Sequence, residues 1–362
     1  MKRCIHPRPG GKTASPSISK SGRRPAYFRM STTIAINGKE TDLAAQSGPL
    51  LFALARQNIH LPTACGGRGL CGLCKIKVLS GAGPVNEIEK KKLKPEEIAD
   101  GMRLSCQVTV ADGLSVLIPE RLLSARRYRG VVVEKKLLTY DIAGLAIRLI
   151  EPDAISFIPG RYIQIESKAC DGKEGVTRAY SIASPPQEKA RIEIMVRKVP
   201  NGVCSVWIFD HVKENDEIML SGPFGEFGLS DTGLPALFIA GGSGIAPFWS
   251  ILRHMQKTKA ARPVTFFFGA RTQRDLFLVD ELRALQQQCG WLTFVPALSD
   301  EPADSGWSGE CGLITDVVAR HFPDTSGHEA YLCGAPGMID ASIKVLARGG
   351  MPLDRMYYDK FA

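Results

Sequence analysis

Cys65-Gly66-Gly67-Arg68-Gly69-Leu70-Cys71-Gly72-Leu73-Cys74, followed after 31 residues by Cys106, is the stretch on which the reading of this chain turns. Three thiols on one loop and a fourth on a distant segment form the ligand pattern of a plant-type [2Fe–2S] centre. Gly66, Gly67, Gly69 and Gly72 let the backbone wrap closely and aim N–H groups at sulfur. Cys71-x-x-Cys74 with two further cysteines also suits a tetrahedral zinc ion. Zinc sites usually pair two C-x-x-C units and this chain has one, so the cluster is the expectation and zinc the alternative.

Around this loop the chain falls into three segments. Residues 31–122 open with strand-like stretches at 33–37 and 40–43 around Gly38-Lys39, then a helical stretch at 49–57. Beyond the cysteines come a charged helix at 87–97 and strands near 103–110 and 115–118. Residues 123–230 carry short strands at 130–133, 143–149, 162–166, 192–197 and 217–221 between Gly- and Pro-rich turns, the pattern of an antiparallel barrel. From 231 to 362, apolar strands at 236–240, 264–269, 292–297 and 329–332 alternate with helical stretches at 247–256, 278–287, 314–321 and 338–348. That alternation predicts a doubly wound parallel sheet.

The net charge of +9 invites a nucleic-acid reading, but its location argues against one. Residues 1–30 hold eight Lys and Arg and no acid, and the rest of the chain has 38 Lys and Arg against 37 Asp and Glu. The segment 1–30 has no apolar run of signal-peptide or membrane-span length. It reads either as a disordered basic leader or as a mis-assigned start, with translation beginning at Met30, and the latter is preferred. Ten cysteines in a chain with ample core residues, four of them at ligand spacing, fit a reducing, cytoplasmic setting better than a disulfide scaffold.

A second constellation is Arg178-Ala179-Tyr180-Ser181. A flavin needs a cation for its phosphate, an aromatic face for its ring and a small hydrogen-bonding group at the ring edge, which Arg178, Tyr180 and Ser181 offer. Taken alone this motif is weak. It is followed by Gly202-Val203-Cys204-Ser205, opening a helical stretch whose N–H groups suit a pyrophosphate, and by Gly222-Pro223-Phe224-Gly225 in a tight turn.

The third constellation begins where an apolar strand runs into Gly241-Gly242-Ser243-Gly244-Ile245-Ala246-Pro247 and a helix, as in a dinucleotide turn. Its counterpart is Cys333-Gly334-Ala335-Pro336-Gly337-Met338. Read blandly, Cys333 is a small buried residue at a strand end.

The cysteine segment resembles the plant- and vertebrate-type ferredoxins, and its spacing is similar to that of the F subunits of the Na⁺-translocating NADH:quinone reductases. R-x-Y-S, G-x-x-S and G-P-F-G in that order, with the proline-bearing glycine turn, resemble the ferredoxin–NADP⁺ reductase superfamily. The resemblance implies a β-grasp ferredoxin domain (31–122), an FAD-binding antiparallel β-barrel (123–230) and an NAD-binding doubly wound domain (231–362), so α+β and α/β units in one chain. It also implies that Cys333 lies near the hydride path, with Gly334, Pro336 and Met338 lining the nicotinamide, and that Phe361 covers the flavin. Arg271, at the end of the second strand, hints at NADPH on the general rule. Gly269-Ala270-Arg271 with Asp275-Leu276-Phe277 nevertheless resembles NADH users, and Asp280 and Glu281 would repel a 2′-phosphate, so NADH is expected.

The function implied is transfer of electrons from NADH to FAD to the cluster and on to an external acceptor, a protein or a quinone, with no nucleic-acid partner. The alternatives are the reductase component of a soluble oxygenase and a reductive activator of a corrinoid or other metalloprotein. No integral membrane segment is legible, which leaves peripheral membrane association open.

Overall fold

The computed structural model describes residues 31–44, 48–63, 65–302 and 304–361. The expectations for the basic segment 1–30 lie outside the described residues.

β1 (Ser31–Ile36) and β2 (Lys39–Ala44) form an antiparallel hairpin. Its turn is Asn37-Gly38, at φ 50° and 79°, one residue earlier than expected. A two-residue turn matching the strand twist needs positive φ at both positions, which Asn-Gly accepts readily. Leu50, Leu51, Ala53 and Leu54 give α1 (Leu50–Arg56) an apolar face. It packs on a sheet completed by β3 (Lys75–Ser80), β4 (Met102–Leu104) and β5 (Ser115–Leu117). The strand order is β2-β1-β5-β3-β4, with β1 parallel to β5 and the other pairs antiparallel. This is the expected β-grasp arrangement.

Two local expectations need correction here. The helix read over 87–97 is two helices, α2 (Glu87–Lys92) and α3 (Pro95–Ala99). Asn86 caps the first by accepting from Glu89 N at 2.9 Å, and Pro95 opens the second, where its missing N–H is not needed. The strand read over 103–110 ends at Leu104, because Gln107 N and Val108 N both bond Leu104 O, at 2.7 and 3.2 Å. That turn swings Cys106 back toward the cysteine loop.

After α4 (Glu120–Leu123) the chain enters a barrel: β6 (Arg126–Leu137), β7 (Ile142–Glu151), β8 (Tyr162–Glu166), β9 (Thr177–Ser181), β10 (Arg191–Arg197) and β11 (Glu217–Phe224). The order is β10-β7-β6-β11-β8-β9, antiparallel throughout. An isolated bridge between Ile182 and Ile194, with Ala183 N bonded to Glu193 O at 2.7 Å, nearly closes it. α5 (Val203–Asp210) lies between β10 and β11. Arg178-Ala179-Tyr180-Ser181, read as following a strand, is itself most of β9.

The last unit is a six-stranded parallel sheet: β12 (Ala236–Gly241), β13 (Val264–Ala270), β14 (Leu292–Leu298), β15 (Glu310–Cys311), β16 (Glu329–Gly334) and β17 (Met356–Lys360). Both faces are covered, so the four central strands, β12, β13, β14 and β16, read as largely apolar runs. Phe238, Phe266 and Phe268 pack under α6 (Ala246–Thr258) and α7 (Val279–Gln288). Leu237, Ile239 and Phe267 pack under α8 (Ile314–His321) and α9 (Pro336–Arg348). The order β15-β14-β13-β12-β16-β17 reverses between β12 and β16. Their carboxyl ends carry Gly241 and Gly334, and that crevice is where open α/β sheets bind ligands.

Candidate functional site

Cys65, Cys74 and Cys106 are buried and Cys71 is half-buried. Gly67 and Gly69 have φ of 85° and 73°, and a Cβ on them would lie 2.6 Å from Phe52 Cζ and 2.7 Å from Ile88 Cγ2. Only glycine lets the loop run this close under α1 and α2. The Cys65 thiol is brought down to about 7: burial raises it, but the N–H groups of Cys71 and Leu70 and neighbouring hydroxyl and thiol groups outweigh that. The Cys74 thiol bonds that of Cys106, lowering Cys106 and raising Cys74; burial opposes the first shift and adds to the second.

The sulfurs therefore pair as Cys65 with Cys71 and Cys74 with Cys106, yet no three of the four lie within 4.8 Å of one another. With Zn–S near 2.3 Å, one tetrahedral zinc would require all four sulfurs within about 3.8 Å of each other. Two separate thiol pairs fit a two-iron cluster instead. Ser105 Oγ is buried beside Cys74 with no hydrogen-bond partner among the described residues, and Gln107 Nε2 lies 3.4 Å from Cys106 Sγ; both can donate to sulfur. Behind the loop, fully buried Glu89 receives Arg103 through two bonds of 2.8 and 2.7 Å, and accepts Leu104 N at 3.0 Å. These donors outweigh the desolvation of Glu89 and hold its carboxyl below the usual range.

On the barrel, β9 splits its motif between two faces. Tyr180 pairs with Ile163 and packs at the edge of the barrel core, whereas Ser181 pairs with Tyr162 and Ala179 with Gln164 on the opposite face. The Tyr180 hydroxyl is raised well above its ordinary value by burial and the adjoining Cys204 thiol. Burial likewise pushes Cys204 up to about 11, against the pull of Tyr180 and the Arg178 charge. Arg178, Tyr180 and the α5 N-terminus at Gly202, Val203 and Cys204 are thus gathered at one place. Ser205 is not available to a phosphate through its hydroxyl, which accepts Val199 N at 3.1 Å and donates to Gly202 O at 3.3 Å.

Ser181 Oγ and Gln164 Nε2 are buried and without a hydrogen-bond partner among the described residues. Two orphaned polar atoms on one face of β8 and β9 fit a flavin's hydrogen-bonding edge, and the cation and helix N-terminus gathered on the other face fit its phosphates. Gly222 and Pro223 form a cis peptide, and the Phe224 side chain is buried in the core of the first unit, not in the crevice.

At the switch point, a Cβ on Gly244 would fall 2.3 Å from Cys333 O, so this turn closes directly onto β16. Ser243 lies in the same turn, and Pro247 is buried in the first turn of α6. Met338, near the start of α9 behind Pro336, lies over both glycine ends: Cβ atoms on Gly241 and Gly334 would meet it at 3.0 and 3.2 Å. Cys333 is fully buried in the core and its thiol is raised well above its usual value by burial and by Asp359. Phe361 N bonds Gly334 O at 3.0 Å, and the ring packs against the same core.

Three residues that sequence reasoning passed over join these parts. Tyr162, opposite Ser181, has its hydroxyl raised by burial and by the charges of Asp359 and Cys71. It also packs on Phe224 with ring centroids 5.8 Å apart. Asp359, opposite Cys333 on β17, is raised to about 6 by burial. Gln164 carried a legible signal, an amide in the otherwise apolar run Ile163-Gln164-Ile165.

Comparison with known proteins agrees with this geometry. Residues 34–111 match the 2Fe-2S iron-sulfur cluster binding domain, 129–228 the oxidoreductase FAD-binding domain and 238–344 the oxidoreductase NAD-binding domain. The chain is 34% identical over 340 residues, 90% of each chain, to the reductase component of propane 2-monooxygenase from Rhodococcus jostii. It is 32% identical over 372 residues, 91% of each chain, to the F subunit of the Na⁺-translocating NADH-quinone reductase of Neisseria meningitidis. Among solved structures, the Amycolatopsis reductase GcoB superposes with a TM-score of 0.75 at 28% identity, covering 91% of this chain and 98% of that one. The ferredoxin reductase of carbazole 1,9a-dioxygenase gives 0.69 at 27%, covering 92% and 98%. With three redox modules in this order and relatives matched along nearly their whole length, the chain belongs to the iron–sulfur flavoprotein reductases of the ferredoxin–NADP⁺ reductase superfamily.

Proposed function

We propose that this protein is an NADH:acceptor oxidoreductase that takes hydride at the Gly241–Gly334 crevice and delivers single electrons at the Cys65–Cys74 loop. The observation that carries this reading is the position of Tyr162. One side chain on β8 stands opposite Ser181 and within electrostatic reach of both Cys71 and Asp359. The nicotinamide end, the flavin edge and the cluster loop thus converge on it. When bound, the flavin accepts an electron pair as hydride and releases electrons one at a time to the cluster.

The residues supply placement. Arg178 and the N–H groups of Val203 and Cys204 hold the flavin phosphates, and Ser181 and Gln164 donate to its ring edge. Gly241, Gly242, Ser243 and Gly244 take the nucleotide pyrophosphate at the start of α6. Gly334, Pro336 and Met338 line the nicotinamide, and Phe361 covers the flavin. Cys65, Cys71, Cys74 and Cys106 hold the cluster. Boundaries of 31–122, 123–230 and 231–362 are proposed, the first falling at the last residue of α4 and the second between β11 and β12.

NADH is favoured over NADPH because Arg271 is already engaged by Asp300 at 2.8 Å, and Asp280 and Glu281 stand in the first turn of α7. No helix among the described residues is long and apolar enough to cross a membrane. Nine free cysteines among the described residues accord with a reducing cytoplasm. The acceptor is an oxygenase-type protein or a quinone, after the two relatives. Steady-state kinetics test the reading: kcat/KM for NADH should exceed that for NADPH by about tenfold or more. Cys106→Ser should keep flavin reduction by NADH while losing one-electron delivery to cytochrome c. Equal use of both nucleotides, or full delivery without the cluster, would refute it.

A further inference from the structure

The surface around the cysteine loop combines exposed apolar side chains with unpaired cations. Phe52 (43% exposed), Leu70 (57%), Leu73 (40%) and Ile88 (42%) surround it. Phe52 abuts Gly67, and Ile88 abuts Gly69. One turn further along α2, Lys92 lies nearest Gly72, its Cβ 3.8 Å from where a glycine Cβ would be. α2 therefore runs along the loop and carries its basic end, Lys90-Lys91-Lys92, past the electron exit.

Free charge along 87–100 beside this exit is mostly basic. Lys90 is engaged by Glu87 at 2.7 Å. Glu89 is buried against Arg103, and Glu97 and Asp100 are held by Lys75 and Lys77 at 2.6 and 2.5 Å. Arg68, Lys91, Lys92 and Lys94 are exposed and have no ion pair among the described residues; Glu96 is the one comparable acid of 87–100.

We propose that this face docks the acidic surface of a protein acceptor, so that the electrons leave to an acidic redox protein and not to a membrane quinone. The inference rests on the cluster being the exit, as proposed above. An apolar centre with a charged rim is the anatomy of a protein–protein interface. A membrane-surface helix needs a continuous apolar face to insert, and α2 has six residues with Ile88 its one exposed large apolar side chain. Unpaired rim charges act chiefly on encounter rate, making association salt-sensitive. In the transfer itself one electron leaves the cluster, which is oxidised, and the acceptor's metal is reduced; no bond or proton moves.

The test uses the whole protein with two haem probes, acidic cytochrome b5 and basic cytochrome c, mixed by stopped flow at low and high salt. Reduction with dithionite beforehand makes the result independent of whether NADH is the donor, so failure of the NADH reading and failure of this one are distinguishable. Cytochrome b5 should be reduced at least about tenfold faster at low salt than at high salt, and faster than cytochrome c at low salt. The pair Lys91→Glu and Lys92→Glu should remove that advantage, leave the visible spectrum intact and leave reduction of the small neutral acceptor menadione unchanged. Faster reduction of cytochrome c at low salt, salt-independent rates, or an unaffected double variant would overturn the proposal. So would sedimentation with phosphatidylglycerol vesicles that the double variant abolishes, which would assign the face to an anionic membrane instead.

Discussion

Tyr162 and Ser181 stand directly opposite each other across the β8–β9 ladder, and the Tyr162 hydroxyl is also within electrostatic reach of Cys71. Two residues on neighbouring strands thereby tie the proposed flavin edge to the cysteine loop. Phe224, packed on Tyr162 and buried in the first unit's core, fastens the barrel to that unit at the same point.

Ser181 Oγ is buried with no hydrogen-bond partner among the described residues, so its hydrogen bond is reserved for what binds there. Ser181→Ala should retain FAD and lower the rate of hydride uptake by about a hundredfold, the lower end of what loss of one preorganised donor costs. Single-turnover stopped flow at the flavin band reads it. An unchanged rate would remove Ser181 from the chemistry.

Asp359 gives a pH prediction. Its folded pKa is raised by burial from 3.8 to about 6, so the folded state holds the proton more tightly than the unfolded chain. Its contribution to stability is fully present below pH 3.8 and is lost as pH rises through about 6. Asp359→Asn should therefore melt above the wild type at pH 7.5, by an amount on the order of 2 kcal/mol, with the gain shrinking toward pH 4.5. Melting curves at the two pH values check the sign; a gain that grows on acidification would contradict it.

The Glu89–Arg103 pair is buried on both sides. Glu89→Gln leaves the guanidinium unpaired and should destabilise the first unit by about 3 kcal/mol. Cluster absorbance should then bleach at lower temperature while the flavin band persists. Simultaneous loss of both bands would show that the units do not melt separately.

Gly244 has backbone within 2.3 Å of where a Cβ would sit. Gly244→Ala should weaken NADH binding by about tenfold or more, visible as a raised KM, with flavin and cluster spectra intact. Wild-type KM would mean that the turn does not carry the nucleotide.

Much of this was legible because local chemistry decided it. The cysteine spacing, the glycine turn at 241–244 and the change from short strands to alternating apolar strands and helices each have a direct physical reading. The pairing of the Cys74 and Cys106 sulfurs depends on how residues 104–108 turn back, which spacing alone does not fix. Asp359 and Tyr162 were invisible because each gains its role from strands distant in sequence: β16 beside β17, and β9 beside β8. The stretch 202–205 read as offering backbone N–H groups to a phosphate; that the Ser205 hydroxyl instead closes its own loop, accepting Val199 N and donating to Gly202 O, is a local detail the motif does not carry.

One chain is proposed to carry a pair-accepting flavin and a single-electron cluster fed by NADH. The visible spectrum of anaerobically purified protein, before and after one equivalent of NADH, tests it most directly. Flavin bands over a broad cluster absorption, both bleached by NADH and only slowly or weakly by NADPH, is the predicted result. A flavin spectrum with no cluster component and with zinc found by metal analysis would contradict the account and leave a simple flavin reductase.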